Sequence, residues 1–359
     1  MGGNIRKFLI NAIAMKASDI HLKVDRPSYI RVPAGLTMVA DLLVTQEDVE
    51  DLAREFKFYK KLEKMMNSED QYSFDAAMQM ETREGSQRLR VHAFKTLKGV
   101  CMNFRPIPIN IPTVESLKLP KEMINVVNRT SGVAIICGAT GSGKTTTLAS
   151  LIDHVNKTSR RAILTVEEPI EFCHTPVGSV IEQREVGEHV ESFAGGIRDA
   201  MREDPEIILI GEMRDLETIT AGITAGETGH LLLATLHTKS VFDAIDRLID
   251  VFPPEQQEQI RIQLASVLTV IVHQTIIRHD GRIYMIPEIL TLDTVFRNAI
   301  RSREKLNTLK DRMRNSSGCV HVVDSFYKAN REGLPLEAIK PHMSEEDFKM
   351  LEKKVHGSN

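Results

Sequence analysis

One glycine-rich segment carries the most specific chemical pattern in the chain. Residues 138–145 read Gly-Ala-Thr-Gly-Ser-Gly-Lys-Thr, which fits G-x-x-x-x-G-K-[ST]. Such a loop turns backbone amides toward phosphate oxygens, while Lys144 adds positive charge and the Thr145 hydroxyl can ligate Mg²⁺. An apolar run before the loop and helical spacing of apolar residues after it predict a strand, a loop and a helix that bind nucleotide. The candidate ligands are Gly138, Thr140, Gly141, Ser142, Gly143, Lys144, Thr145 and Thr146.

Two further apolar runs end in acidic residues. The run 162–166 leads to Glu-Glu-Pro-Ile-Glu, in which Pro169 ends the strand, so Glu171 could orient an attacking water as a general base. Three solvated carboxylates are the alternative interpretation. The run 207–210 leads to Glu212, as in a Walker B strand whose acid holds Mg²⁺ or its water. Because parallel strands present ligand sites at their carboxyl edge, we expect both acids near the phosphate loop.

Two histidines flank a third apolar run, 231–236. A spacing of seven between His230 and His237 puts the imidazoles at opposite ends of a strand, too far apart to share one metal ion. Either histidine could sense phosphate, since imidazole can donate a hydrogen bond to it. A structural role is the alternative. We expect both histidines to lie at the sheet edge that holds the phosphate loop and treat them as candidate nucleotide ligands.

Arginines line one face of a predicted meander. Apolar residues alternate with polar ones over 88–93 and 100–105, and Lys98-Gly99 occupies the turn between the strands. One interpretation is a solvated sheet face. The other is that Arg90 and Arg105 reach the γ-phosphate of a neighbouring subunit, as arginine fingers do.

The elements before the loop suggest a separate N-terminal domain. Apolar residues at helical spacing begin at Ile5, and Thr45 to Asp48 resembles a helix capping box. The segment 106–112 holds three prolines, which remove backbone donors and keep the chain extended. It is predicted to be a linker, either a semi-rigid strap between moving domains or a packed connector. After about residue 290 the pattern is helical, with core positions predicted at Val295 and at Leu306, among others.

Composition argues against several classes of protein. The chain has 359 residues, and its 46 Lys and Arg against 49 Asp and Glu leave a net charge of −3. The chain as a whole therefore lacks the excess positive charge that is typical of nucleic-acid-binding proteins. Four scattered cysteines form no C-x-x-C pair, which argues against a disulfide framework and a structural zinc. Without an apolar stretch of roughly 20 residues or a signal-peptide pattern, we expect a cytoplasmic protein.

The order of these segments resembles that of the secretion ATPase superfamily. The similar segments are 138–147 for Walker A, 163–172 for the Asp box, 211–215 for Walker B and 228–238 for the His box. Residues 17–22 and 297–301 are similar to the N-terminal signature and the C-terminal A-I-R-N-L-I-R motif of the type IV pilus retraction ATPase family, the PilT and PilU type. Assembly and type II secretion ATPases usually carry four zinc-binding cysteines after the His box, which are missing between Gln274 and Glu288.

This resemblance implies an α/β fold: a RecA-like P-loop ATPase core, a smaller PAS-like α+β N-terminal domain and a helical C-terminal region. The implied boundaries are 1–105, a linker at 106–118, 119–290 and 291–359. It also implies a homohexamer with ATP between subunits. Glu171 would be the catalytic glutamate, Thr145 and Glu212 would hold Mg²⁺, and His230 and His237 would be the His-box residues.

The implied function is ATP-driven pilus retraction and twitching motility. The expected partners are an inner-membrane pilus platform protein, at whose cytoplasmic side the ring would act, and a second pilus ATPase. Pilus assembly, type II secretion and a nucleotide-regulated accessory subunit of another pilus motor remain the alternatives.

Overall fold

The computed structural model describes residues 3–39, 42–82, 85–107, 110–304, 306–316 and 318–357. The chain divides into two compact units. The first comprises the residues up to Ile111 together with Glu168–Cys173, and the second comprises Pro112–Glu167 and the residues from His174 onward.

The described residues of the first unit form an antiparallel sheet and three helices. Its elements are α1 (Gly3–Ala14), β1 (Asp19–Lys23), β2 (Ser28–Val32), β3 (Gly35–Val39), α2 (Gln46–Glu55), α3 (Tyr59–Asn67), β4 (Ser73–Thr82), β5 (Gly85–Thr96) and β6 (Gly99–Pro106). The strands are ordered β3-β2-β1-β6-β5-β4, and each neighbouring pair is antiparallel. Apolar residues of the helices and of one sheet face form a shared core.

Local signals in the sequence account for several of these elements. At the start of α2, the Thr45 side chain accepts from the Asp48 amide and the Asp48 side chain accepts from the Thr45 amide, so the predicted capping box is confirmed. The predicted meander is also confirmed, as β5 and β6 turn at Lys98-Gly99. Pro106 is the last residue of β6, so the strand runs one residue into the predicted linker, of which Pro108 and Ile109 lie outside the described residues.

The second unit is built on a mostly parallel sheet. Its elements are α4 (Lys121–Ile124), β7 (Gly132–Cys137), α5 (Lys144–Thr158), β8 (Ala162–Glu167), β9 (Val180–Glu185), α6 (Phe193–Ala200), β10 (Ile207–Ile210), α7 (Leu216–Glu227), β11 (Leu231–Leu236), α8 (Val241–Asp250), α9 (Pro254–Val267), β12 (Leu268–His279), β13 (Arg282–Thr291), α10 (Thr294–Arg301), α11 (Leu306–Arg314), α12 (Val322–Arg331), α13 (Leu336–Ile339) and α14 (Glu345–His356). The strand order is β13-β12-β7-β11-β10-β8-β9, with only β13 antiparallel to its neighbour.

Helices cover both faces of this sheet, as a parallel sheet requires. One face packs against α6 to α10 in the larger core, and the other packs against α4 and α5. The predicted strands before the phosphate loop, the two acidic segments and His237 are β7, β8, β10 and β11, each buried at nearly every position. The sheet therefore places the ends of these strands along one carboxyl edge.

The C-terminal region is helical, as predicted. Helices α12 to α14 enclose a small core with Ile277, Tyr284 and Ile286 of the β12–β13 hairpin. The core position predicted at Val295 is wrong, since this side chain is exposed in the first turn of α10, where Phe296 faces inward. The side chain of Leu306 lies outside the described part. None of the described helices is both long and apolar enough to cross a membrane.

Candidate nucleotide-binding site

The phosphate loop joins the carboxyl end of β7 to the first turn of α5. Gly143 is the N-cap of α5 with φ +83°, a left-handed conformation that glycine adopts without strain. The Lys144 ammonium donates to the carbonyls of Gly138 at 2.9 Å and Ala139 at 3.2 Å. The loop therefore folds around its own lysine, and the amides of the first turn of α5 are available to an anion.

Two observations indicate that this loop is suited to a polyanionic ligand. The Ser142 hydroxyl oxygen is buried and has no hydrogen-bond partner within the described part of the chain. Lys144 is only 8% exposed, and this desolvation lowers its pKa, an effect that Cys137 and Glu212 oppose. A buried cation and an unsatisfied hydroxyl beside a helix N-terminus are the groups that phosphate oxygens satisfy.

Glu212 follows β10 at the same edge. Its carboxylate acts electrostatically on Lys144 and lies 3.9 Å from an Arg214 guanidinium nitrogen. The chain around it is fixed from both neighbouring strands: the Thr235 hydroxyl of β11 donates to the Gly211 carbonyl at 2.5 Å, and the Gly211 amide donates to the carbonyl of Val166 at 2.8 Å. The geometry thus brings the Walker B candidate and the loop lysine to one edge.

Within the described residues, no three His, Cys, Asp or Glu side chains gather closely enough to hold a metal ion alone. Proteins usually bind Mg²⁺ through one or two ligands together with substrate phosphates and water. Thr145 in the first turn of α5 and Glu212 at the end of β10 are the residues that fit such an ion.

The acidic residues at the end of β8 and just after it have different surroundings. Glu167 is buried, and its Oε1 accepts from the Thr165 hydroxyl at 2.7 Å and from the Gln183 amide at 3.2 Å. Glu171 belongs to the first unit, where its Oε1 lies 3.5 Å from an Arg90 guanidinium nitrogen. The neighbouring Ile170 carbonyl accepts from Arg88 at 2.8 Å. Residues 168–173 are thereby attached to β5.

The two candidate arginine fingers lie on adjacent strands of the first unit. Arg90 also pairs with Asp75 at 3.7 Å, and Arg105 donates to Asp19 at 2.9 and 2.7 Å. Their side chains are 39% and 66% exposed, so these ion pairs contribute little free energy and can exchange for another anion.

The histidines occupy opposite edges of the sheet. His237 follows Leu236, which pairs with Cys137 beside the loop, whereas His230 precedes Leu231, which pairs with Gly132 at the start of β7. At about 3.3 Å per residue, β11 separates them by roughly 20 Å. The expectation that both lie at the edge of the loop is therefore wrong for His230, whose Nδ1 lies 3.2 Å from the Ala225 carbonyl near the end of α7.

One buried residue of this site was missed in the sequence. Gln274 on β12 bonds through one end of its side-chain amide to Ser142 of the phosphate loop and through the other end to Thr147 of α5. The signal in the sequence was its position: a glutamine that follows three consecutive apolar residues and a histidine in a buried strand must find partners for its amide.

Comparisons with known proteins agree with this geometry. The family described as "Type II/IV secretion system protein" matches residues 3–346. A twitching motility protein of Neisseria gonorrhoeae is 41% identical over 251 residues, covering 69% of this chain and 67% of the relative. The type IV pilus retraction ATPase PilT of Pseudomonas aeruginosa is 38% identical over 281 residues, covering 77% and 79%.

A solved structure shares nearly the whole fold. The crystal structure of the pilus retraction motor PilT with bound ADP superposes with a TM-score of 0.82 at 35% identity, covering 94% of this chain and 96% of that one. The α/β fold with an ATPase core and added N- and C-terminal parts is thus confirmed. The chain belongs to the type II/IV secretion system protein family, on the branch of the PilT-type pilus retraction ATPases.

Proposed function

We propose that the protein is an ATP-hydrolysing motor that powers type IV pilus retraction and twitching motility. The observation that carries this proposal is the likeness over almost the whole chain to a retraction motor with bound ADP. The electrostatic coupling of Lys144 with Glu212 at one sheet edge supports it, because a P-loop ATPase needs a cation and a metal-binding acid there.

Each candidate residue then has a role. Gly138, Thr140, Gly141, Ser142, Gly143 and Thr146 surround the phosphates, and Lys144 balances their charge. Thr145 and Glu212 would hold Mg²⁺, and the ion would supply positive charge next to the phosphates. Glu171 orients the attacking water as general base, and His237 senses the phosphate from the end of β11. Arg90 and Arg105 leave their exposed partners and act on a neighbouring subunit's ATP.

This scheme requires more than one copy of the chain. We propose a homohexamer in which residues 1–105 form the PAS-like domain, 106–118 the linker, 119–290 the RecA-like domain and 291–359 the helical region. ATP lies between subunits, and closure and release around the ring act on a pilus platform protein at the cytoplasmic face of the inner membrane. A second pilus ATPase is a further proposed partner.

Replacement of the general base tests the chemistry. Glu171→Gln keeps the shape of the side chain but cannot accept a proton, so turnover should fall roughly 10²- to 10⁴-fold while ATP binding remains. The measurement is phosphate release by the purified full chain, with Glu168→Gln as the matched control in the same segment. A larger loss in the control would reassign the base to Glu168.

The same variant tests the direction of work. Cells that carry only Glu171→Gln should be hyperpiliated and should not twitch, because pili are assembled but not withdrawn. Bald cells would contradict retraction and favour an assembly motor. Wild-type turnover that appears only when a second pilus ATPase is added would instead identify an accessory subunit.

A further inference from the structure

Gln274 connects β12 to both sides of the phosphate-binding lysine. Its Nε2 donates to the Ser142 carbonyl at 2.6 Å, and its Oε1 accepts from the Thr147 hydroxyl at 2.9 Å. The side chain is 2% exposed, so water does not replace either bond. These two contacts bracket the segment from Gly143 to Thr146, which carries Lys144 and Thr145.

Close packing between β12 and the loop surrounds these bonds. A Cβ built on Gly143 would lie 2.8 Å from Ile276 Cδ1 and 3.0 Å from Gln274 Nε2. A Cβ on Gly138 would collide with the backbone carbonyl of Gln274. Two glycines of the phosphate motif are therefore needed for contact with β12 as well as for turning the loop, and both have positive φ.

Hydrogen bonds within the chain shape the phosphate loop. Lys144 donates to two loop carbonyls, while the Ser142 hydroxyl has no partner among the described residues. Internal bonds of the loop thus leave Ser142 unsatisfied, and the fixed support next to it is the amide of Gln274. An amide that both donates and accepts suits this position, because one neighbour offers a carbonyl and the other a hydroxyl.

We propose that Gln274 is a positioning residue for ATP: it holds the phosphate loop in its binding conformation from outside the site and does not touch the nucleotide. The inference rests on the proposed ATPase function. If only a fraction of molecules has a formed loop, the apparent dissociation constant rises in inverse proportion to that fraction. Loss of Gln274 should therefore weaken binding of ATP more than it slows turnover of bound ATP.

The test is Gln274→Met in the full chain, which keeps the length of the side chain and removes its hydrogen bonds. We expect the Kd of a fluorescent, non-hydrolysable ATP analogue and the KM for ATP to rise about 10-fold, and kcat to stay within about 3-fold. Thr147→Val removes one of the two bonds from the other side and should raise Kd by a smaller factor. The double variant should raise Kd by less than the product of the two factors, since both changes break the same contact.

Thr269→Val is the matched control. Thr269 lies on the same strand, is 6% exposed and donates to the Val133 carbonyl of β7 at 3.0 Å, at the opposite edge of the sheet. It should lower Tm by an amount similar to Gln274→Met and leave Kd unchanged.

The outcomes separate the two proposals. A lower Tm with unchanged Kd in Gln274→Met and Thr147→Val, or a fall in kcat with unchanged KM, would overturn the positioning role. If Gln274→Met does not fold, an unchanged Kd in Thr147→Val alone overturns it. Failure of the wild-type chain to bind the analogue would instead contradict the proposed ATPase function itself.

Discussion

Basic residues lie at both edges of the seven-stranded sheet, but at one edge they face a site for an anion and at the other they bind backbone carbonyls. At the carboxyl edge, Lys144 and the start of α5 surround a loop suited to an anion. At the amino edge, Arg297 donates to the carbonyls of Ala265, at 2.9 Å, and Ser266 near the end of α9. Arg161 similarly donates to the Val127 carbonyl at 3.0 Å.

The direction of the helices explains this difference. In a parallel α/β unit, helices begin at the carboxyl edge of the strands and end at the amino edge, so free amides collect at one edge and free carbonyls at the other. Anions are stabilised at the first edge and cations at the second. The edge at which a residue lies therefore decides whether its charge serves a phosphate ligand or the end of a helix.

Helix α5 offers the most sensitive test, because lysines occupy both of its ends. Lys144→Ala removes the buried charge of the first turn and should weaken ATP-analogue binding at least about 100-fold, with no measurable turnover. Lys157→Ala removes an exposed lysine paired with Asp153 in the last turn and should change binding less than about 2-fold. Isothermal titration of both variants decides between them. Equal losses would mean that the whole helix, and not its first turn, determines binding.

The two histidines provide a second test of smaller size. His237→Ala removes a proposed donor to phosphate and should lower kcat/KM about 10-fold. His230→Ala should leave kcat/KM within about 2-fold and lower the free energy of unfolding by about 1 kcal/mol, through its contact near the end of α7. Steady-state kinetics and urea unfolding measure the two effects. The comparison of edges fails if His230→Ala impairs turnover in a protein of normal stability.

The residues predicted correctly depend on short-range patterns. The phosphate loop, β8, β10, β11 and the capping box at Thr45 are set by spacing within a few residues, because local hydrogen bonding and one buried face define them. Glu212 could be placed at the carboxyl edge for the same reason: a buried strand leads directly into it.

The position of His230, and contacts such as those of Gln274 and Arg90, depend on pairing between distant segments and were not predicted. The spacing of His230 and His237 gives their separation, but only the parallel register of β11 with β7 shows which of them lies beside the loop. Gln274 is 132 residues from Ser142, and Arg90 is 81 residues from Glu171. No periodicity within one segment encodes such contacts, which arise only when the sheets are assembled.

Glu288 on β13 tests how far the carboxyl edge favours anions when water is excluded. Its Oε2 accepts from the Val241 amide in the first turn of α8 at 3.5 Å. Burial raises the pKa of this carboxyl from 4.5 to about 7, an effect that Asp347 and Asp243 strengthen while the Val241 amide and Lys310 oppose it. His273 lies opposite it on β12. Since the folded state binds this proton more tightly than the unfolded chain, the free energy of unfolding should fall as pH rises from about 4.5 to about 7.

Glu288→Gln keeps an acceptor for the Val241 amide without the titrating charge. It should raise the free energy of unfolding at pH 8 by roughly 1–3 kcal/mol and change it little at pH 4.5, as urea titrations at both pH values would show. Glu217→Gln is the control, because Glu217 occupies the first turn of α7 but is exposed, so its removal should bring no gain at pH 8. A loss of stability at pH 8 in Glu288→Gln would mean that the amides at the start of α8 outweigh desolvation, and that the carboxyl edge stabilises even a buried carboxylate.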